Sequence, residues 1–466
     1  MKSSDRQVPK VDVWDQSSLI IEYSFATSEL RSFEIVYPES MRAILRQRGL
    51  RLIFIANLIS MLGSGMNSAA VVWYILQATH SEMALGTVII LQTIPALLML
   101  PFTGVIIDRE DRRHLVMFLD ASRGIVILIV AFLALMGKVR LWELYLMNTL
   151  VAAGFWMFWP SVTALIQELT PESQYVASSN FLMAGVQGGW LIAGALVGFM
   201  YDHIHLGGVL LVDFSTYAIS IACYLFVRKG RITVERPADT PVPHNAHPFQ
   251  RYFHELGEGF GYLKHRPAVT LVGISMALFM GAMLTQGIVT APLDDRILHG
   301  GAVGYGWLNG GWGTGAFLST MYAPFVIGRL HTRASIRLGM LVLGACMLLA
   351  PHSRLLGFAV LLFFLMGSAR GLGGTALNTS LMELVPKHLM GRTQNTFYFM
   401  GTLLQLGLAF AVAASAHRLG LTTAFAIIAA TYLFSCASTL LSPDHVSFAP
   451  ADAADAVAVG EETQTS

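Results

Sequence analysis

Charge is scarce in this chain. Only 13% of its 466 residues are Asp, Glu, Lys or Arg, and 30 basic side chains are nearly cancelled by 29 acidic ones. With no excess of either sign there is no broad field to hold nucleic acid or an acidic partner, so neither is expected. Cysteine is almost absent. Cys223, Cys346 and Cys436 are scattered through apolar stretches without metal-ligand or disulfide spacing, and read as small buried side chains. No G-x-x-x-x-G-K-[ST] loop is available to cradle nucleotide phosphates, and neither H-E-x-x-H nor G-x-S-x-G occurs. These gaps argue against an ATPase, a metal site, a cofactor and an enzyme. An intramembrane enzyme or non-transporting receptor is left as a distant alternative.

Apolar residues fill the space that charge leaves. They make up 54% of the chain and come in long blocks. About 20 residues at roughly 1.5 Å each cross a hydrocarbon core of roughly 30 Å. Twelve blocks are that long or close to it, near 52–77, 84–107, 115–136, 142–166, 178–200, 208–228, 268–291, 303–327, 335–350, 355–379, 394–416 and 420–441. They fall six and six about the longest internal polar stretch. The expected fold is therefore an all-α membrane protein with twelve transmembrane helices in two six-helix pseudo-repeats. Its parts would be a tail over 1–49, an N-terminal bundle over 50–228, a linker over 229–266, a C-terminal bundle over 267–441, and a small acidic, disordered tail over 442–466. Within the linker, Phe249, Tyr252, Phe253, Leu256, Phe260 and Leu263 recur at threes and fours. That spacing predicts an amphipathic helix on the membrane surface.

Basic residues set the expected orientation. With the N-terminus inside, twenty-three Lys and Arg fall in cytoplasmic segments and five on the opposite side, so both termini should be cytoplasmic. No apolar run resembling a signal peptide occurs in the first forty residues, and MRAILRQRGLRLIFIANLIS reads as a natural beginning, which makes Met41 a candidate start, the stretch before it being either a dispensable tail or an extension. After the fourth span the chain reads ELTPESQYVASSN, and after the tenth ELVPKHLMGRTQN. A shared Glu-Leu-x-Pro after equivalent spans fits two parallel halves with a transport site between them.

The densest charge lies in GVIIDREDRRHLV, residues 104–116, between the second and third spans. It is similar to the cytoplasmic loop 2–3 signature of the major facilitator superfamily, in which a Gly is followed four residues later by Asp-Arg and then by a basic pair. Gly104, Asp108, Arg109, Arg112 and Arg113 match, while Asp111 stands where the general pattern prefers Gly. That departure resembles the exporter branch containing enterobactin exporters and macrolide-efflux-type proteins, as do ANLISMLGSGMNSAAVVWYILQ, DASR, ELTPESQ and ELVPKHLMGR. The resemblance runs over about residues 42–441. In the second half the signature is reduced to Gly328-Arg329, and GWLIAGALVG in the fifth span lacks the Pro of the antiporter signature. The resemblance implies that spans one, four, seven and ten line a central cavity. It also implies that Asp108 pairs with basic residues and the start of the eleventh helix as a cytoplasmic latch.

Polar residues within the spans are the candidates for a site. Asn57, Ser60, Ser64 and Asn67 form one stripe on the first span, readable as cavity lining or as a helix-packing seam. Trp156 and Trp159 on the fourth span, Phe279, Met283 and Gln286 on the seventh, and Phe363 and Met366 on the tenth complete an aromatic, Met-rich lining suited to a bulky, partly apolar substrate. Asp120 and Arg123, three apart, are placed to neutralise each other as a structural pair. Arg370 has no acid within a helical turn, so its partner is an anionic substrate group, an acid from another helix, or the membrane surface reached by snorkelling. Asp108, Asp120, Glu143 and Asp213 all read as lying toward span ends, which leaves no obvious proton carrier. The expected protein is a monomeric, multi-pass exporter in a bacterial inner membrane. It would move a medium-sized amphipathic small molecule, a siderophore or a drug, across the lipid bilayer by alternating access, with protons as the coupling ion. An importer or a lysophospholipid flippase of the same fold is the alternative.

Overall fold

The computed structural model describes residues 46–170, 175–227, 248–264, 266–386 and 389–441. The candidate Met41 start, residues 1–45 of the N-terminal tail and the C-terminal tail lie outside these residues, as does about half of the linker. All twelve expected spans are helical. They comprise α1 (Arg48–Thr79), α2 (Glu82–Arg109), α3 (Arg112–Leu135) and α4 (Leu141–Leu169), then one continuous run, Tyr175–Leu225, whose arms are α5 (175–204) and α6 (206–225). Next come the linker helix α7 (Pro248–Lys264), α8 (Pro267–Leu293), α9 (Gly301–Leu330), α10 (Thr332–Leu349), α11 (Leu356–Leu384), α12 (Met390–Leu419) and α13 (Leu421–Leu440).

The breaks between helices have local causes. His205 takes φ 51 and ψ −173, leaving the helical region for one residue and turning the chain back without a loop. His80 ends α1 in the left-handed region at φ 50, and Asp111 starts α3 by accepting from the backbone N–H groups of Arg113 (3.0 Å) and His114 (3.2 Å). Asp111, standing where the resembled pattern prefers Gly, therefore acts as a helix N-cap.

Among the described residues, ten helical stretches are long and apolar enough to cross a membrane, with α5 and α6 counted as one. The exception is α9. Its sequence, GAVGYGWLNGGWGTGAFLSTMYAPFVIGRL, is diluted by eight glycines, of which Gly306, Gly311, Gly313 and Gly315 lie against the backbone of neighbouring helices. A Cβ at Gly306 would meet Gly198 Cα at 2.6 Å, so only bare backbone lets α9 and α5 approach this closely.

Each half repeats one pattern of neighbours. In the first, α3 and α2 pack on α4, α3 packs on α6, and α1 on the α5/α6 run; in the second, α10 and α9 pack on α11, α10 on α13, and α8 on α12 and α13. The halves join along two pairs, α2 with α12 and α5 with α9, which exchange under the same repeat. The linker helix lies against α12, α2 and α8. It buries Tyr252, Leu256 and Leu263, and Glu258 pairs with Arg392 at 2.9 Å. Phe253 (59% exposed) and Phe260 (44%) face away, giving the helix a second apolar stripe.

Candidate functional site

The charged turn is anchored within its own half. Arg112 Nη1 pairs with Glu168 (3.1 Å) and donates to the carbonyl of Ala164 (3.1 Å), both on α4. Arg113 donates from Nε to the Tyr224 carbonyl (2.8 Å) and from Nη2 to that of Leu225 (2.7 Å), capping the C-terminus of α6 with a cation. Gly104, Asp108 and Arg109 belong to the last turns of α2, with side chains outside the described set.

The polar stripe of α1 faces α6. Because the two helices run antiparallel, Asn57 meets Tyr224, Ser64 meets Tyr217 and Asn67 meets Asp213 in reverse order. Asn57 Nδ2 donates to Tyr224 Oη (3.0 Å), Ser64 Oγ shares a hydrogen bond with Tyr217 Oη (3.0 Å), and Asn67 Nδ2 donates to Asp213 Oδ2 (2.8 Å). Ser60 is fully buried in the same seam. On the α3 side, Arg123 Nη2 binds Asp120 Oδ1, Ser220 Oγ donates to Asp120 Oδ2 (2.7 Å), and the guanidinium lies over the rings of Phe158 (4.3 Å) and Tyr217 (4.8 Å). Every charge here is out of solvent, so hydrogen bonds and ring faces must replace its hydration.

Asp213 corrects the sequence reading. It is fully buried, and a Cβ at Gly63, the sixteenth of the 32 residues of α1, would strike both Asp213 and Thr216. The carboxylate is thus level with the middle of α1 rather than at a span end. Hydropathy located α6 but not the depth at which it packs against α1.

In the second half the site assembles about Arg370, the fifteenth of the 29 residues of α11. It is half-buried. Its Nη2 points at Met283 Sδ on α8 (3.0 Å), and its guanidinium lies 5.0 Å from the Trp312 ring centroid on α9. Arg370 Nε is buried without a hydrogen-bond partner, and no ion pair links it to a described acid. Close by, Phe279 stands 6.5 Å from Tyr432, and Gln286 Nε2 donates weakly to Met366 Sδ (3.7 Å). Phe363 is buried on α11, while Trp156 and Trp159 are half-buried on α4. Trp312 and Tyr432 were not legible as members of the site, because their helices are not among those the resemblance assigns to a cavity.

At the end of the bundle holding the α1–α2 turn, the two halves are closed on each other. Trp73 stacks on Tyr305 at 5.4 Å, Gly198 abuts Gly306, and Glu82 binds Arg296 with His417 at 4.0 Å. Deeper along the same contact, Gln405 on α12 donates to Thr93 on α2.

Comparison with known proteins agrees with this architecture. The model of the Major Facilitator Superfamily matches residues 53–412. An uncharacterized MFS-type transporter of Bacillus subtilis, YkuC, is 21% identical over 382 residues, covering 78% of this chain and 85% of its own. Macrolide efflux protein A of Streptococcus pyogenes is 23% identical over 265 residues, 52% of this chain and 62% of that protein. Among solved structures, the nucleoside transporter NupG superposes with a TM-score of 0.63 at 14% identity, covering 85% of this chain and 99% of NupG. A bacterial homolog of the human lysosomal transporter Spinster, in an inward-facing and unoccupied conformation, gives 0.62 at 16% identity, covering 85% and 97%. A twelve-span helical fold, a repeated neighbour pattern and a family match over most of its length together place this chain in the major facilitator superfamily, as a multi-pass membrane transporter.

Proposed function

We propose that this chain is a secondary exporter in a bacterial inner membrane, moving a medium-sized amphipathic compound that carries an anionic group, such as a siderophore or an acidic drug. Arg370 carries the reading. A guanidinium at the middle of a membrane helix, facing a thioether and a tryptophan ring instead of a carboxylate, is costly unless an anion arrives to pair with it. Met283 and Trp312, backed by the buried rings of Phe279 and Tyr432, offer the soft apolar surface for the rest of such a molecule. Export is supported by the likeness to macrolide efflux protein A. Transport would proceed by alternating access, with the Asp108 end cytoplasmic and the Glu82 end outside, driven by inward proton flow.

Metabolite profiling of medium from deletion and overexpression strains tests the reading. An amphipathic anion should be lost from one and enriched in the other. Arg370→Lys keeps the charge but loses the planar fork, so export of anionic compounds should fall further than that of neutral ones. Equal loss of both, or unchanged export with altered phospholipid asymmetry, overturns the assignment, the latter in favour of a flippase.

A further inference from the structure

We propose that Asp213 is the proton-binding group of the transport cycle, with Arg123 as the cation that answers when the proton leaves. The inference rests on the transporter reading above and adds a site in the other half of the molecule. Three charged side chains share the α1/α3/α6 seam, all excluded from solvent: two carboxylates, Asp120 and Asp213, and one guanidinium, Arg123. Asp120 takes the guanidinium and the Ser220 hydroxyl. Asp213 forms an ion pair with none of the described Lys, Arg or His. A lone buried carboxylate is costly in its charged form, and one proton brings the seam to neutrality.

Hydrogen-bond directions show where that proton fits. Asp213 Oδ2 accepts from Asn67 Nδ2 at 2.8 Å. Oδ1 faces Thr216 Oγ1 at 3.4 Å, but the Thr216 hydroxyl already donates its one hydrogen to the Asp213 backbone carbonyl at 2.7 Å. Oδ1 therefore meets a lone pair, the partner suited to an O–H donor. The groups facing the site are Asn67 and Ser64 from α1, Asp120 and Arg123 from α3, and Thr216 and Tyr217 from α6 itself. Around them, Asn57 Oδ1, Ser60 Oγ, Asn67 Oδ1 and Arg123 Nη1 are buried without hydrogen-bond partners. Such atoms take ordered water, so the seam has polar stations along which a proton reaches Asp213.

The step itself is a proton transfer. Water on one side gives a proton to Asp213 Oδ1, and water on the other takes it back; only O–H bonds form and break. When Asp213 is ionised its charge competes with Asp120 for Arg123, whose Nη1 is free to respond. Motion of α6 passes through His205 into α5, and α5 meets α9 of the opposite half at Gly194 and Gly198. A proton bound in one half thereby acts on the contact that opens and closes the molecule.

Infrared difference spectroscopy of the reconstituted full chain, stepped between alkaline and acidic buffer, reads this proton without a substrate. Wild type should show a carboxylic-acid C=O band that is lost in Asp213→Asn, shifted but retained in Asp213→Glu, and retained in Asp120→Asn. Thermal melting of each detergent-solubilised variant verifies that it folds. A band that persists in Asp213→Asn, disappears in Asp120→Asn, or is missing from wild type overturns the proposal. In inverted vesicles, pH-gradient-driven uptake of an amphipathic anionic probe, carboxyfluorescein, should be lost in Asp213→Asn while gradient-independent exchange remains. If wild type moves no probe but the infrared band behaves as expected, the proton site stands and the exporter reading is what fails.

Discussion

Glu82, only 1% exposed at the start of α2, binds Arg296 in the turn Asp294–Leu298 that follows α8 and so ties the two halves of the molecule together. His417 of α12 stands 4.0 Å from the same carboxylate, and Arg296 also donates to the His80 carbonyl at 3.3 Å. A hydrogen bond to a charged group contributes about 1.5–3 kcal/mol, and less here because Arg296 is 42% exposed. In Glu82→Gln that loss falls on the closed arrangement, and the balance should move toward one open at this end. Val197→Cys, at a buried position beside Trp73 and Tyr305 within the closure, should react faster with an impermeant maleimide added from the Glu82 side when combined with Glu82→Gln. Unchanged labelling would mean that the aromatic and glycine contacts hold the closure alone.

Gly198 supplies those contacts. A Cβ there would lie 2.8 Å from Gly306 Cα, and backbone cannot give way as a flexible side chain can. Gly198→Val should force α5 from α9, raise labelling at the Glu82 end and slow transport. Gly257→Ala, on the linker helix with nothing within 4 Å, is the control. It should leave transport intact and stabilise α7 by about 0.5–1 kcal/mol.

Asp111 departs from the resembled pattern and forms an N-cap. Asp111→Ala should lose about 0.5–2 kcal/mol of helix stabilisation, and Asp111→Gly only a few tenths. Thermal melting would order the variants as wild type, Asp111→Gly, Asp111→Ala. Equal melting of all three would remove the cap's importance.

Asp108 is the latch candidate that the resemblance implies. If it holds the start of α12, Asp108→Asn should keep folding and membrane insertion, slow transport strongly, and raise cytoplasmic accessibility of a cavity cysteine. The near-positive end of a helix contributes about 0.3–2 kcal/mol to such a carboxylate. Wild-type accessibility and transport would reduce the charged run to a solvated turn.

The sequence alone determined most of the spans, because crossing a bilayer requires a length and an apolarity that every span but the glycine-diluted α9 carries within itself. It also determined the family, through the charged turn at 104–116, and singled out Arg370 as an unpaired intramembrane charge. The stripe Asn57, Ser60, Ser64 and Asn67 was visible as a stripe, and Asp120 with Arg123 as neighbours on one helical face. Only the tertiary structure decided that the stripe meets α6, that Asp213 stands level with the middle of α1, and that Arg370 faces Met283 and Trp312. Lipid tails are as apolar as the helices, so hydropathy does not choose which helix faces touch. Close backbone approach and the pairing of buried polar groups choose them, and both depend on residues more than a hundred positions apart, as Asn67 and Asp213 are.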